Sequence, residues 1–151
     1  MTKHPRPAIT VADHMTPAPH CIGMDQSLEL ASERMLQLGV RHLPVLDGGQ
    51  LVGLLSERDI ALLRSVAPEH VITLTVEEAM SGVPYCVEPA TPLGDVARHM
   101  ALRKLGSAVV AEHGRVVGVF TTTDALQVLA ALLESADEPE HDRERPSGAT
   151  H

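Results

Sequence analysis

The residues best suited to do chemistry in this chain occur twice, at the same spacing. Ser56 is followed three positions later by Asp59, and Thr121 three positions later by Asp124. Each pair follows an apolar run, 51–55 or 116–120, that reads as a strand, and precedes a stretch that reads as a helix. A hydroxyl and an acid at a helix entrance form a capping box, the hydroxyl accepting from the helix backbone and the acid reaching back. Such boxes favour Glu or Gln, whereas both copies here carry the shorter Asp. Free N–H groups and a hydroxyl at a helix start also make an anion site. A carboxylate fixed beside them is suited to accept both hydrogen bonds of a ribose diol. Capping and binding are compatible.

A duplication positions these residues. At a constant offset of 65 without a gap, Thr10-Val11 matches Thr75-Val76, Met15 matches Met80, Pro19 matches Pro84 and Cys21 matches Cys86. Leu28, Met35, Val45, Gly49, Gly53 and Asp59 find Leu93, Met100, Val110, Gly114, Gly118 and Asp124 in the same register. Each copy predicts a short strand (19–23, 84–88) and then a helix with a start signal, Asp25 or Ser27 in one and Thr91-Pro92 in the other. Leu28, Ala31, Met35 and Leu38 make one apolar stripe, repeated by Leu93, Val96 and Met100. Gly39 and Gly106 stand where a helix C-terminal glycine belongs. Two strands follow around the turn compositions 47–50 and 112–115, and a second helix closes each unit near 58–65 and 124–133. The expectation is an α/β protein of the α+β type, βαββα twice.

One such unit buries too little surface to be comfortable alone. Two packed sheet to sheet about a pseudo-twofold axis solve this. The expected organisation is an N-terminal arm 1–8, a first repeat 9–65, a linker 66–74, a second repeat 75–133 and a disordered acidic tail 134–151. Gly53 and Gly118, inside strands, are read as bulges in preference to places where a ligand approaches the backbone. Met15 and Met80 are read as core, and Cys21 and Cys86 as small buried apolar residues.

Composition removes several function classes. With one Tyr, one Phe and no Trp, the core is aliphatic and stacking platforms for single-stranded nucleic acid are missing. The net charge is −8, half of it on the tail, so no basic patch remains to neutralise a phosphate backbone. No apolar run approaches the ~20 residues that span a bilayer, and the N-terminal M-T-K-H-P-R-P lacks the apolar region of a signal peptide. A reducing cytoplasm is the expected home. The nine His show neither H-x-x-x-H nor H-E-x-x-H spacing, so no metal site is expected.

The segments V-A-D-H-M-T, V-R-H-L-P-V and G-L-L-S-E-R-D of the first copy, with V-E-E-A-M-S, G-S-A-V-V and G-V-F-T-T-T-D of the second, resemble a tandem CBS-domain pair, a Bateman module, over residues 9 to about 133. That resemblance implies an adenosine ligand whose phosphate and ribose meet Ser56 and Asp59 in one cleft and Thr121 and Asp124 in the other. It implies that Arg58 and Thr123 line the phosphate, as do Arg41 and His42, whose counterparts are Gly106 and Ser107. It also implies that residues about the first strand of each copy enclose the base: Thr16, His20 and Ile22, then Ser81, Tyr85 and Val87. Since the second copy lacks the basic pair, at most one cleft is expected to bind a phosphorylated ligand tightly.

The resulting expectation is a non-catalytic regulatory module that senses AMP, ADP, ATP or S-adenosylmethionine, requires no cofactor, forms a homodimer and signals to a separate target protein. A constitutive dimerisation scaffold with vestigial clefts is the alternative. No nucleophile, base and acid set stands out for an enzyme.

Overall fold

The computed structural model describes residues 8–17, 20–82 and 84–137. Two hydrogen-bonded sheets carry the fold. The first copy supplies β2 (Ile22–Gly23), β3 (His42–Asp47) and β4 (Gln50–Ser56), in that order across a three-stranded sheet. The second sheet has the order β1, β7, β6, β5, from β1 (Thr16–Pro17), β7 (Arg115–Thr121), β6 (Ser107–Glu112) and β5 (Cys86–Val87). In each copy a parallel edge strand joins an antiparallel hairpin. The helices are α1 (Leu28–Leu38), α2 (Glu57–Val66), α3 (Val76–Ala79), α4 (Leu93–Arg103) and α5 (Thr122–Ala136). Two copies of the βαββα order are therefore present, with β1 and α3 added as elements that periodicity does not announce.

Local chemistry accounts for the elements. Ser27 caps α1 by accepting from the Leu30 N–H at 3.1 Å, and Gly39 closes it at φ 67°. Leu28, Ala31 and Met35 are buried, but Leu38, expected on the same stripe, is exposed because the helix is already turning away at its last residue. On α4 the left-handed closing position falls on Lys104 (φ 57°) rather than on the expected Gly106, two residues further on. The first hairpin turns through Gly48 and Gly49, both at positive φ, which matches the right-handed twist of its strands. His113 and Gly114 make the same turn in the second copy.

The copies are interlocked at their opening segments. Val11 is fully buried with Leu93, Val96 and Phe120 of the second copy, and its N–H donates to the Thr91 carbonyl at 2.9 Å. Val76, at the equivalent position, is fully buried with Leu28, Leu43 and Leu55 of the first copy and donates to the Gln26 carbonyl at 2.8 Å. β1 pairs with β7 through Thr16↔Val119 and Pro17↔Gly118, while Leu54 and Ser81 exchange N–H···O bonds of 3.3 and 2.9 Å. Each core is completed by the other copy's first residues. The segment 67–74 folds into turns packed against the domain: Val71 is buried and Leu74 packs on the first core.

Gly53 and Gly118 owe their identity to this exchange. The ladder does shift beside each, between Val45 and Leu46 and between Val110 and Ala111, so a bulge is present. The demand for a missing Cβ comes from the crossing segment: a Cβ on Gly53 would lie 2.6 Å from the Ser81 carbonyl oxygen, and one on Gly118 3.0 Å from that of Thr16. The crossing segment, by its Met80 or Met15 side chain as well as its backbone, makes the close approach. Two further expectations are corrected. Cys86 is exposed because the two-residue edge strand β5 leaves one side open, and Cys21, just ahead of β2, is half-buried. Helix α5 runs to Ala136, into the stretch expected as tail; residues 1–7 and 138–151, which hold the remaining arm and tail expectations, lie outside the described residues.

Candidate functional site

Strand register brings the reactive positions together. Within the first sheet His42 stands opposite Ser56, and within the second Ser107 stands opposite Thr121, so the residues before β3 and β6 flank the starts of α2 and α5. A cavity of about 570 Å³ opens there, lined by Arg41, His42, Ser56, Arg58, Asp59, Ser81, Ser107, Thr121 and Thr123 among others. A smaller one, about 350 Å³, is lined by Thr16, Arg41, His42, Thr121, Thr123, Asp124 and Gln127 with their neighbours. Both copies contribute to each cavity.

Both Ser/Thr-x-x-Asp motifs are capping boxes. Asp59 N–H donates to Ser56 Oγ at 3.0 Å, and Ser56 N–H donates to Asp59 Oδ2 at 3.1 Å. The second copy repeats this, Asp124 N–H to Thr121 Oγ1 at 3.2 Å and Thr121 N–H to Asp124 Oδ2 at 2.9 Å. The copies then part. Thr121 Oγ1 also donates to Asp124 Oδ2 at 3.1 Å, and Thr16 Oγ1 donates to Asp124 Oδ1 at 2.9 Å, leaving that residue 8 % exposed. Asp59 is only half-buried; among the described residues its Oδ1 accepts no hydrogen bond and the Ser56 hydroxyl proton has no protein acceptor. One carboxylate faces the larger cavity with capacity to spare.

Charge at the site comes from both strand ends. Arg41 lies 3.9 Å from Glu57 across the cavity mouth, a solvent-exposed pair of small energetic weight. Burial pushes the His42 imidazole below its ordinary pKa, the pull of Asp59 and Asp124 opposing this and Arg41 adding to it. His42 is thus neutral near pH 7. Among the described residues no group of three His, Cys, Asp or Glu side chains is arranged to hold a metal ion, and no helix is long and apolar enough to cross a membrane.

Four residues expected around the base lie elsewhere. Ile22 is buried in the first core, and Val87 and Tyr85 pack against the second, Tyr85 stacking on His99 with ring centroids 4.1 Å apart. His20 is exposed and borders neither cavity. The cause is the exchange of opening segments: among the described residues Thr16, Pro17 and Ser81 reach the cavities, while Ile22 and Val87 on the edge strands turn toward the cores. Conversely, Glu57, Thr122 and Gln127 line the cavities without having been singled out. Their positions next to Ser56 and Thr121, and one turn after Asp124, are the signal that would find them.

The CBS-domain family profile matches residues 11–65 and 76–131, the same two copies. The chain belongs to the CBS-domain family. A CBS domain-containing protein of Dictyostelium discoideum is 26% identical over 137 residues, covering 83% of this chain and 94% of its own. The CBS domain-containing protein YhcV of Bacillus subtilis is 30% identical over 115 residues, covering 76% of this chain and 81% of its own. Among solved structures, the CBS domain pair of protein MJ0100, in complex with 5′-methylthioadenosine and S-adenosyl-L-methionine, superposes with a TM-score of 0.71 at 25% identity, covering 83% of this chain and 99% of that one. CBSX2 in complex with AMP superposes at 0.64 with 27% identity, covering 82% and 98%. This CBS pair thus shares its architecture with proteins whose structures hold adenosine compounds.

Proposed function

We propose that this CBS pair is a regulatory sensor of an adenosine-containing ligand, bound in the larger cavity with its ribose on Asp59 and its phosphate toward Ser56, Arg58 and Arg41. The open Asp59 Oδ1, facing a cavity beside an unspent Ser56 hydroxyl, carries the reading. The ligands in the MJ0100 and CBSX2 complexes support the adenosine class. Because both copies line the cavity, occupancy couples to the angle between them. In this reading the protein works in the cytoplasm without catalysis, as a homodimer, and passes the change to a separate partner. The exposed leucines of α5 (Leu126, Leu129, Leu132 and Leu133) favour such helix pairing.

Thermal unfolding with AMP, ADP, ATP and S-adenosylmethionine tests this. A ligand at 100 times its Kd adds about 2.7 kcal/mol, which raises the Tm of a protein this size by roughly 5–11 °C. A shift from at least one of these compounds is expected. A dimer with no shift for any of them leaves the scaffold and removes the sensor.

His42 supplies a pH signature. Its folded-state pKa is lowered, so its contribution to stability is complete above the unfolded value near 6.5 and is lost as pH falls through the folded value. A bound phosphate favours the imidazolium, so affinity for AMP gains a His42-dependent increase as pH drops from about 7.5 to 5.5, of up to roughly tenfold per unit by which the pKa rises. Calorimetry on wild type and His42→Gln, compared at each pH, cancels the phosphate's own titration. Parallel pH profiles for the two proteins would exclude His42 from the phosphate.

A further inference from the structure

We propose that Thr16 decides which cleft takes ligand, by occupying the Asp124 carboxylate that a second ribose would need. The inference rests on the sensing reading above and adds to it a residue that sets occupancy. Three observations carry it. Both Asp124 oxygens are engaged, Oδ2 by Thr121 and Oδ1 by the Thr16 hydroxyl at 2.9 Å, whereas Asp59 Oδ1 accepts from none of the described residues. Thr16 is fixed in place by its pairing with Val119 in β1–β7, while its counterpart Ser81 has only an isolated bridge to Leu54 and makes no hydrogen bond to Asp59. Finally, Thr16 and Asp124 both line the smaller cavity, so the bond lies where a diol would enter.

The chemistry is an exchange of like for like. A ribose hydroxyl reaching Asp124 Oδ1 must displace a hydroxyl already donated by the protein, held there without any loss of ligand freedom. The intramolecular donor therefore wins at ordinary ligand concentrations. At Asp59 an incoming diol displaces only water. The arrangement makes this CBS pair a one-site sensor in spite of its two copies of the motif.

Titration calorimetry with AMP reads the stoichiometry directly. Wild type and Thr16→Ser, which keeps the hydroxyl, are expected to bind one AMP per chain, and Thr16→Ala two. In the Asp59→Ala background, binding is expected to be lost, and to return at one site when Thr16→Ala is added. Thr16 is exposed at the end of a two-residue strand, and melting curves of the unliganded variants verify that they fold. Two sites in wild type, or one site in both wild type and Thr16→Ala, overturn the role of Thr16 while leaving sensing in place. No heat from any of the proteins overturns the sensing reading itself, and the assignment to Thr16 with it.

Discussion

Asp59→Ala is expected to remove nearly all the stabilisation that an adenosine ligand confers. The open Oδ1 and the remaining capacity of Oδ2 are the acceptors for the two ribose hydroxyls. Hydrogen bonds to a charged group contribute about 1.5–3 kcal/mol each, so losing one weakens binding by roughly 10- to 100-fold and losing both by up to roughly 10,000-fold. A hundredfold loss reduces the stabilisation at a fixed ligand concentration from about 2.7 to about 0.4 kcal/mol. The variant also loses one arm of the α2 capping box, the Ser56 N–H to Asp59 bond, at a cost of about 1 kcal/mol. Melting with and without ligand separates the two effects, since the cap moves both curves and the ribose contact only their difference. Asp124→Ala gives the opposite division. It strands the Thr16 and Thr121 donors around a buried gap, so it lowers the unliganded Tm more and the ligand-induced shift less. Equal ligand shifts in Asp59→Ala and wild type would remove the ribose from this residue.

Much of this architecture is legible in one sequence because duplication tests each local signal against itself. A lone Gly or a lone Ser-x-x-Asp is weak, but Gly49 with Gly114 and Asp59 with Asp124 occupy equivalent turns and helix starts in the structure. The same periodicity hides the exchange of opening segments. Val11 and Val76 repeat at the same offset whether each packs on its own copy or on the other, so residue spacing carries no information about the choice. Consequences that depend on the exchange stay hidden with it: the burial of Gly53 under Ser81, the Thr16–Asp124 bond, and the placing of Tyr85 and Val87 in the core and not the cavity. Lys104 shows a different limit. A C-terminal glycine is a preference, and φ 57° was left to a lysine because the chain must turn there and Gly106 comes too late.

The interlock makes its own demand on Gly53. An alanine methyl there would sit 2.6 Å from the Ser81 carbonyl oxygen and 2.5 Å from Met80 Sδ. The methionine can rotate away, but the carbonyl is part of a backbone bridge, accepting from Leu54 N–H while Ser81 N–H donates to the Leu54 carbonyl at 2.9 Å. Relief requires the whole 80–82 segment to lift from β4, which opens the first core beside Val76. Overpacking of this kind costs about 1–3 kcal/mol, and a backbone obstacle places Gly53→Ala at the upper end, a Tm fall of roughly 5–10 °C. Gly94, inside α4 with nothing within 4 Å of the added carbon, is the control. There, in the first turn, the same substitution costs nothing in packing and gains at most about 0.5 kcal/mol from helix propensity. Ser81 lines the larger cavity, so Gly53→Ala also weakens AMP binding by displacing that segment, with every residue that lines the cavity unchanged in identity. If Gly53→Ala melts with wild type, the crossing segment does not press on β4, and the exchange cannot be what holds the two copies in register.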